Sequence, residues 1–320
     1  MRFALMTEPQ QGLSYEDVLA LARTAEQVGF EAYLRSDHYN SFPGASGLPT
    51  TDAWATLAGL ARETQRIRLG TLVSPVTFRL PGPFAKMVAT IDEMSGGRIE
   101  VGLGAGWNEP EHRQHGIPFP ELRERYDRLE ETLAVVHGLW TEPDGWSFSG
   151  RHWQVHEARF RPPVARTGRP HPHIVLGGDG KPRGLRLAAT YADEYNLQSA
   201  RPERAIEVYR DLAAACERLE RDPAEVTRSA MVGVLVGESE GDVRERVRAQ
   251  LELFGQDREQ AEAWLAERRS RWIMGTPDEA LDRIALFAAA GVERICLQDF
   301  LPFDLDMVRL LGERILPAAA

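Results

Sequence analysis

The same local pattern stands at both ends of this chain, and it restricts the fold more than any other feature. Near the start, Ser14 and Asp17 form a capping pair, and Val18, Leu21, Ala22, Ala25 and Val28 share one helical face. Gly29 then stops the helix ahead of the apolar strand Phe30–Leu34. Near the end, Thr276-Pro277-Asp278-Glu279 opens a helix with proline at its first position, Gly291 stops it, and Val292 to Leu297 reads as a strand. Further strands are expected at Phe3 to Met6, Ile67 to Val73, Ile99 to Leu103, Ile174 to Leu176, Glu194 to Leu197 and Met231 to Val236. Helices are expected at 82–94, 121–140, 182–191, 202–219 and 240–253. Eight strands, each leading into helical sequence, predict a closed α/β (βα)8 TIM barrel rather than an open sheet. Residues 1–320 then form a single domain, with a small hairpin around Trp146–Val155 and a lengthened connection at 254–275 as insertions at its C-terminal face.

Composition narrows the partners. A net charge of -10 and a pI near 5.4 argue against a broad nucleic-acid or acidic-membrane surface, leaving a small-molecule substrate as the expected partner. Cys216 and Cys296 are too few for a disulfide framework, and the apolar run Met1–Met6 is too short for a signal or membrane segment. A cytoplasmic location is expected.

In such a barrel the C-terminal strand ends converge on one face, where the site is built. Strand one delivers Glu8 there, strand two Ser36-Asp37-His38, and strand three Leu72-Val73-Ser74-Pro75-Val76-Thr77 followed by Arg79. Strand four delivers Gly102-Leu103-Gly104-Ala105-Gly106-Trp107, then Asn108, Glu109 and Glu111. Three alternating glycines strip side chains from one band of backbone, which lets a flat ligand lie against the peptide groups, with Trp107 closing the end. The spacing does not match a dinucleotide fingerprint. Strand five delivers Gly177-Gly178-Asp179-Gly180-Lys181 ahead of a helix, an anion cradle of free N–H groups with a lysine beside it; a plain turn would explain the same glycines. Strand eight delivers Gln298.

No serine or cysteine stands in an activating motif, so the set reads as a site for a large flat cofactor rather than for a nucleophile. His38, directly after Asp37, is the candidate acid–base group. Glu111, His112 and His115 have a spacing that could hold a metal on a helix, but no further ligand is evident; a solvated helix face is expected and no metal is assigned. Arg268, Arg269 and Arg271 read as a solvated helix face, or as contacts for an anionic ligand tail if the insertion folds over the barrel mouth.

Taken in order, Ser36-Asp37-His38, Leu69–Ser74, Gly97-Arg98, Gly102–Trp107, Gly177-Gly178 and Ala192–Asn196 resemble the bacterial luciferase-like superfamily, most closely its coenzyme F420-dependent branch. The resemblance implies F420 as cofactor, with flavin mononucleotide (FMN) as the alternative on the same scaffold. It implies a non-prolyl cis peptide backing the ring, matching Leu72–Val73, and a phosphate turn at Gly177 and Gly178. His38 matches the histidine at the ring edge where hydride moves. Asp37, Leu72, Val73, Ser74, Gly106, Trp107, Asn108, Gly177, Gly178 and Gly180 are the expected cofactor-binding set. Trp107 stands where some sugar- or alcohol-oxidising members carry a glutamate, which argues against those substrates. The implied activity is hydride transfer between the deazaflavin and a small organic substrate. An FMN-dependent monooxygenase and a non-catalytic cofactor-binding protein are the alternatives, and a homodimer is the expected assembly.

Overall fold

The computed structural model describes residues 1–42, 47–164 and 168–319. Eight parallel strands close on themselves: β1 (Arg2–Thr7), β2 (Ala32–Arg35), β3 (Arg68–Thr71), β4 (Ile99–Gly104), β5 (His173–Gly178), β6 (Glu194–Leu197), β7 (Thr227–Val236) and β8 (Arg294–Asp299). Each pairs with the next, and β8 returns to β1 in register from Arg2↔Arg294 to Thr7↔Asp299, so the barrel has no free edge. The (βα)8 barrel expected from the alternation is the fold.

Strand alternation divides the core into two layers. Ala4, Met6, Ala32, Leu34, Val175 and Cys296 form an apolar cluster with Leu72, while their neighbours Phe3, Leu5, Tyr33 and Ile295 join the larger cluster with the helices. Period-two strands buried on both faces require this double sorting. The capping boxes at Ser14/Asp17 and Thr276/Glu279 form, and Gly29 and Gly291 take left-handed φ values of 98° and 81° at the helix stops.

The structure adds to the sequence reading at several points, among them a helix at Leu305–Leu310 after β8. A helix at Ala53–Glu63, capped by the Asp52 carboxylate accepting from Ala55 N–H, is additional to the expected set. It follows the loop after β2 and ends at Thr64, without the capping box and glycine stop that mark Tyr15–Val28. Strand three does not run unbroken from Ile67 to Val73. It leaves the ladder after Thr71, the Leu72–Val73 peptide is cis, and Ser74–Pro75 resumes pairing with β4.

The hairpin forms as Trp146–Ser149 against Gln154–Ala158. The 254–275 connection folds as a helix, Ala261–Arg268, and a strand, Ile273–Gly275, that extends the end of β7 and packs Trp264 and Leu265 on Leu235 and Val247. Among the described residues, no helix is long and apolar enough to cross a membrane.

Candidate active site

Three neighbouring cavities run across the C-terminal mouth. The central one, about 430 Å³, is lined by Met6, Glu8, His38, Leu72, Val73, Trp107 and Gln298 among others. On one side it shares Leu72, Val73, Gly106, Trp107, Gln198 and Met231 with a cavity of about 330 Å³ that extends to Gly177, Gly178, Asp179 and Lys181. On the other side it shares Gln298 and Phe300 with a cavity of about 300 Å³ under the insertion.

The strongest polar feature of the central cavity is a pair. His38 Nδ1 lies 2.9 Å from Glu111 Oε2, and the Glu111 side chain is fully buried. Burial pushes the Glu111 carboxyl up, but the His38 hydrogen bond and the backbone N–H groups of Tyr39 and Asn40 outweigh it and hold the carboxyl below its ordinary value. An ionised Glu111 accepts the Nδ1 proton, so Nε2 of neutral His38 is left as an acceptor on a ring that lines the cavity. Phe42 packs edge-on against that ring at 4.4 Å and Trp107 at 5.8 Å, fixing its plane.

This corrects the reading of Glu111 and His112 as a solvated helix face. Both are fully buried on the helix Glu109–Gln114. His112 donates from Nδ1 to the Asn108 carbonyl at 2.7 Å and accepts the Thr77 hydroxyl at Nε2 at 2.6 Å, and burial pulls its pKa down. Only His115 of the three lies on the exposed face, against Asn40. The inward turn depends on β2 and β3 chain lying across the helix, which no local spacing reveals.

The other expected residues divide. Leu72, Val73, Gly106 and Trp107 line the central cavity, and Gly177 and Gly178 line its neighbour. Asn108 lines a further cavity with Tyr39 and Gln114, which shares Phe42 and Trp107 with the central one. Asp37 and Ser74 turn away: Asp37 pairs with Arg79 at 2.5 Å and accepts from the Ser74 hydroxyl at 2.6 Å, and Ser74 in turn accepts the Trp54 indole at 2.9 Å. They brace the chain that carries His38 rather than facing the cavity. Gly180 is likewise occupied, its N–H on the Tyr195 hydroxyl at 2.9 Å and the position of a Cβ filled by Val208.

The glycine strip has a different cause from the one its spacing suggested. A Cβ on Gly104 would stand 2.7 Å from Val73 Cγ2, and one on Gly102 would stand 2.0 Å from the Thr71 carbonyl oxygen. The bare backbone therefore makes room for the chain around Leu72–Val73. Gly177, whose Cβ would stand 3.0 Å from Val73 Cγ1, serves the same purpose. It is Val73, pressed out over these glycines, that presents a surface to the cavity.

Glu8 is a site residue whose partners the sequence concealed. Gln298 donates to one of its oxygens at 2.6 Å and Gln10 to the other at 2.7 Å, so the carboxylate is held still across the central cavity.

The barrel mouth thus sets a histidine–glutamate pair beside a long cleft. The family pattern described as luciferase-like monooxygenase matches residues 1–295, and the chain belongs to that family. It is 28% identical over 334 residues to an FMNH(2)-dependent dimethylsulfone monooxygenase of Pseudomonas putida, covering 93% of this chain and 86% of the relative. It is 30% identical over 331 residues to an F420-dependent glucose-6-phosphate dehydrogenase of Beutenbergia cavernae, covering 94% and 92%. In fold it is similar to an F420-dependent secondary alcohol dehydrogenase in complex with an F420-acetone adduct, with a TM-score of 0.83, 21% identity and coverage of 100% and 99%.

Proposed function

We propose that the protein is an oxidoreductase that transfers hydride between coenzyme F420 and a small organic substrate, with His38 handling the accompanying proton. The observation that carries this reading is the His38–Glu111 pair, at 2.9 Å, opening on the central cavity. A buried anion on Nδ1 orients the ring, fixes its tautomer and stabilises the imidazolium once Nε2 takes a proton, which is what a general base needs.

The residues fit a long molecule with a flat ring at one end and a phosphate further along. Leu72, Val73, Ala105, Trp107 and Met231 line an apolar stretch, and Lys181, 3.9 Å from Asp179, stands beyond Gly177 and Gly178 at the N-terminus of the helix Pro182–Tyr191, where the helix dipole favours an anion. When bound there, a deazaflavin supplies two-electron hydride chemistry. Val73 would support the ring, Trp107 and Phe42 would shield it from water, and His38 Nε2 would receive or return the substrate proton. Glu8, held by two amide donors and lining the same cavity, would accept a hydrogen bond from substrate.

FMN with oxygen is the second reading, favoured by the 28% identity to the FMNH(2)-dependent monooxygenase. Fluorescence titration with both cofactors, followed by oxygen uptake with a reductant present, separates the two. Saturable F420 binding that is at least tenfold tighter than FMN, about 1.4 kcal/mol, supports the deazaflavin reading; the opposite ratio with oxygen uptake overturns it.

A further inference from the structure

We propose that the cavity under the insertion is the substrate's anion subsite, and that the substrate is an organic anion whose carboxylate or phosphate is held by Arg201 and Arg271 while its other end reaches His38. This deepens the oxidoreductase reading and rests on it for the identity of the bound molecule as substrate.

The cavity, about 300 Å³, is lined by Arg201, Arg268, Arg271, Trp272, Gln298 and Phe300. Three guanidiniums thus face a single lining carboxylate, Glu267, in a chain whose net charge is -10. Glu267 lies 3.0 Å from Arg268 and 3.6 Å from Arg271, leaving the cavity net positive. Among the described residues Arg201 forms no ion pair, so its donors are available. Planar guanidinium forks suit oxyanions, which accept two parallel N–H bonds.

Arg269 marks the contrast within the same run. It turns away from the cavity, onto Glu240 and onto Glu279 at 2.9 Å, and its charge is spent. Arg268 is fixed to the wall, with its guanidinium carbon 4.3 Å from the Trp264 ring centroid and 6.0 Å from that of Trp272. Trp272 in turn lies flat over Gly233, where a Cβ would stand 2.3 Å from the indole, and stacks on Phe300 at 5.3 Å. The subsite therefore has a rigid aromatic floor with cations along its rim.

Its position assigns it to the substrate. It joins the central cavity through Gln298 and Phe300 and shares no lining residue with the cavity of Lys181 and the Gly177–Gly178 turn. A cofactor phosphate at Lys181 leaves this end open, and a molecule anchored here extends past Gln298 toward His38.

Calorimetric titration of the full-length protein with inorganic phosphate tests the subsite without turnover. Arg201→Gln and Arg271→Gln should each weaken a saturable phosphate site at least tenfold, the loss expected for a charge-assisted hydrogen bond, with melting temperatures unchanged because both side chains are exposed. Lys181→Gln should leave that site intact, and F420 or FMN affinity should be the same in the two arginine variants as in the parent. Absence of saturable binding to the parent overturns the proposal. So does a site weakened by Lys181→Gln and untouched by the arginine changes, since the anion then sits at the cofactor turn. A parent that binds phosphate through Arg201 and Arg271 but binds neither cofactor leaves the anion site standing and sinks the oxidoreductase reading instead.

Discussion

The barrel contains two buried histidine–glutamate pairs of nearly equal length, one at each end, and they do opposite things. At the mouth His38 meets Glu111 at 2.9 Å; at the floor His173 meets Glu194 at 3.0 Å. At the floor the Arg294 guanidinium lies 2.8 Å from Glu100 and 2.9 Å from Glu194, and Arg68 adds a further bond to Glu100. Although Glu100, His173 and Glu194 converge closely enough to hold a cation, a guanidinium already provides the positive charge there. Burial opposes ionisation of Glu100 and Glu194, but Arg294 outweighs it and holds both well below the carboxylate range. Both His173 ring nitrogens are engaged, Nε2 with Glu194 and Nδ1 with Arg169, although Glu194 Oε1 has no hydrogen-bond partner. At the mouth, among the described residues, Glu111 is bonded only by His38 and two backbone N–H groups, and the ring's far nitrogen has no partner while the ring lines a 430 Å³ cavity. The two pairs differ in what the histidine ring has left over: His173 is bonded at both nitrogens, whereas the His38 ring lines a cavity.

Removing the mouth histidine gives the largest expected effect. His38→Ala should lower turnover by about 10²–10⁴ while melting temperature and cofactor affinity stay close to the parent's. Steady-state kinetics beside a thermal melt decides this, and unchanged turnover takes His38 out of the reaction.

The floor should behave in reverse. Arg294→Leu leaves buried carboxylates without their counter-charge and should cost about 3–5 kcal/mol of stability in urea unfolding, with cofactor affinity of the surviving folded protein unaltered. A variant as stable as the parent would show that the floor network contributes nothing net.

Another buried carboxyl, Asp299 at the end of β8, tests how burial without a hydrogen-bonded counter-charge behaves. One oxygen accepts the Leu301 N–H at 2.7 Å, the other has no partner, and burial raises the group from its ordinary 3.8 to about 7. Because the folded-state value is raised, its contribution to stability is fully present below about pH 4 and is lost as pH climbs through about 7. Asp299→Asn should remove that decline and be more stable than the parent by roughly 2–4 kcal/mol at pH 8, with the gap shrinking toward pH 4. Parallel stability–pH curves for the two proteins would refute the assignment.

Glu111→Gln makes the mouth pair neutral while keeping a hydrogen-bonding side chain. Turnover should fall by about 10–100-fold, the scale seen when the group orienting a functional histidine is altered, with KM little changed. A fall in cofactor affinity of the same size would mean that Glu111 acts by holding the 39–40 backbone rather than by orienting the ring.

Much of the barrel was legible because its signals are local. A capping box, an apolar face and a glycine in the left-handed region mark a helix whatever surrounds it, and Ser14–Gly29 and Thr276–Gly291 carried these signals intact. The helix Ala53–Glu63 lacked them, having neither a capping box nor a glycine stop. His38 could be found because it ends a strand, and strand ends converge on one face in any such barrel. The cis Leu72–Val73 peptide came through resemblance and not through any property of those two side chains.

Which way a side chain faces, and what it meets, was settled only by the assembled chain. Glu111 looked like one acid on a charged helix because the atoms that bury it, His38 and the backbone of Tyr39 and Asn40, lie more than 70 residues away. Gly102 and Gly104 looked like a ligand shelf because the Thr71 and Val73 atoms that fill them belong to another strand. Of the neighbours Arg268, Arg269 and Arg271, identical in type, tertiary packing commits one to Glu240 and Glu279 and brings two to a cavity. Local sequence determines backbone conformation, since it acts through sterics and hydrogen bonds a few residues apart. The burial that distinguishes a reactive pair from a structural one is a sum over neighbours from every strand, and it exists only once the barrel has closed.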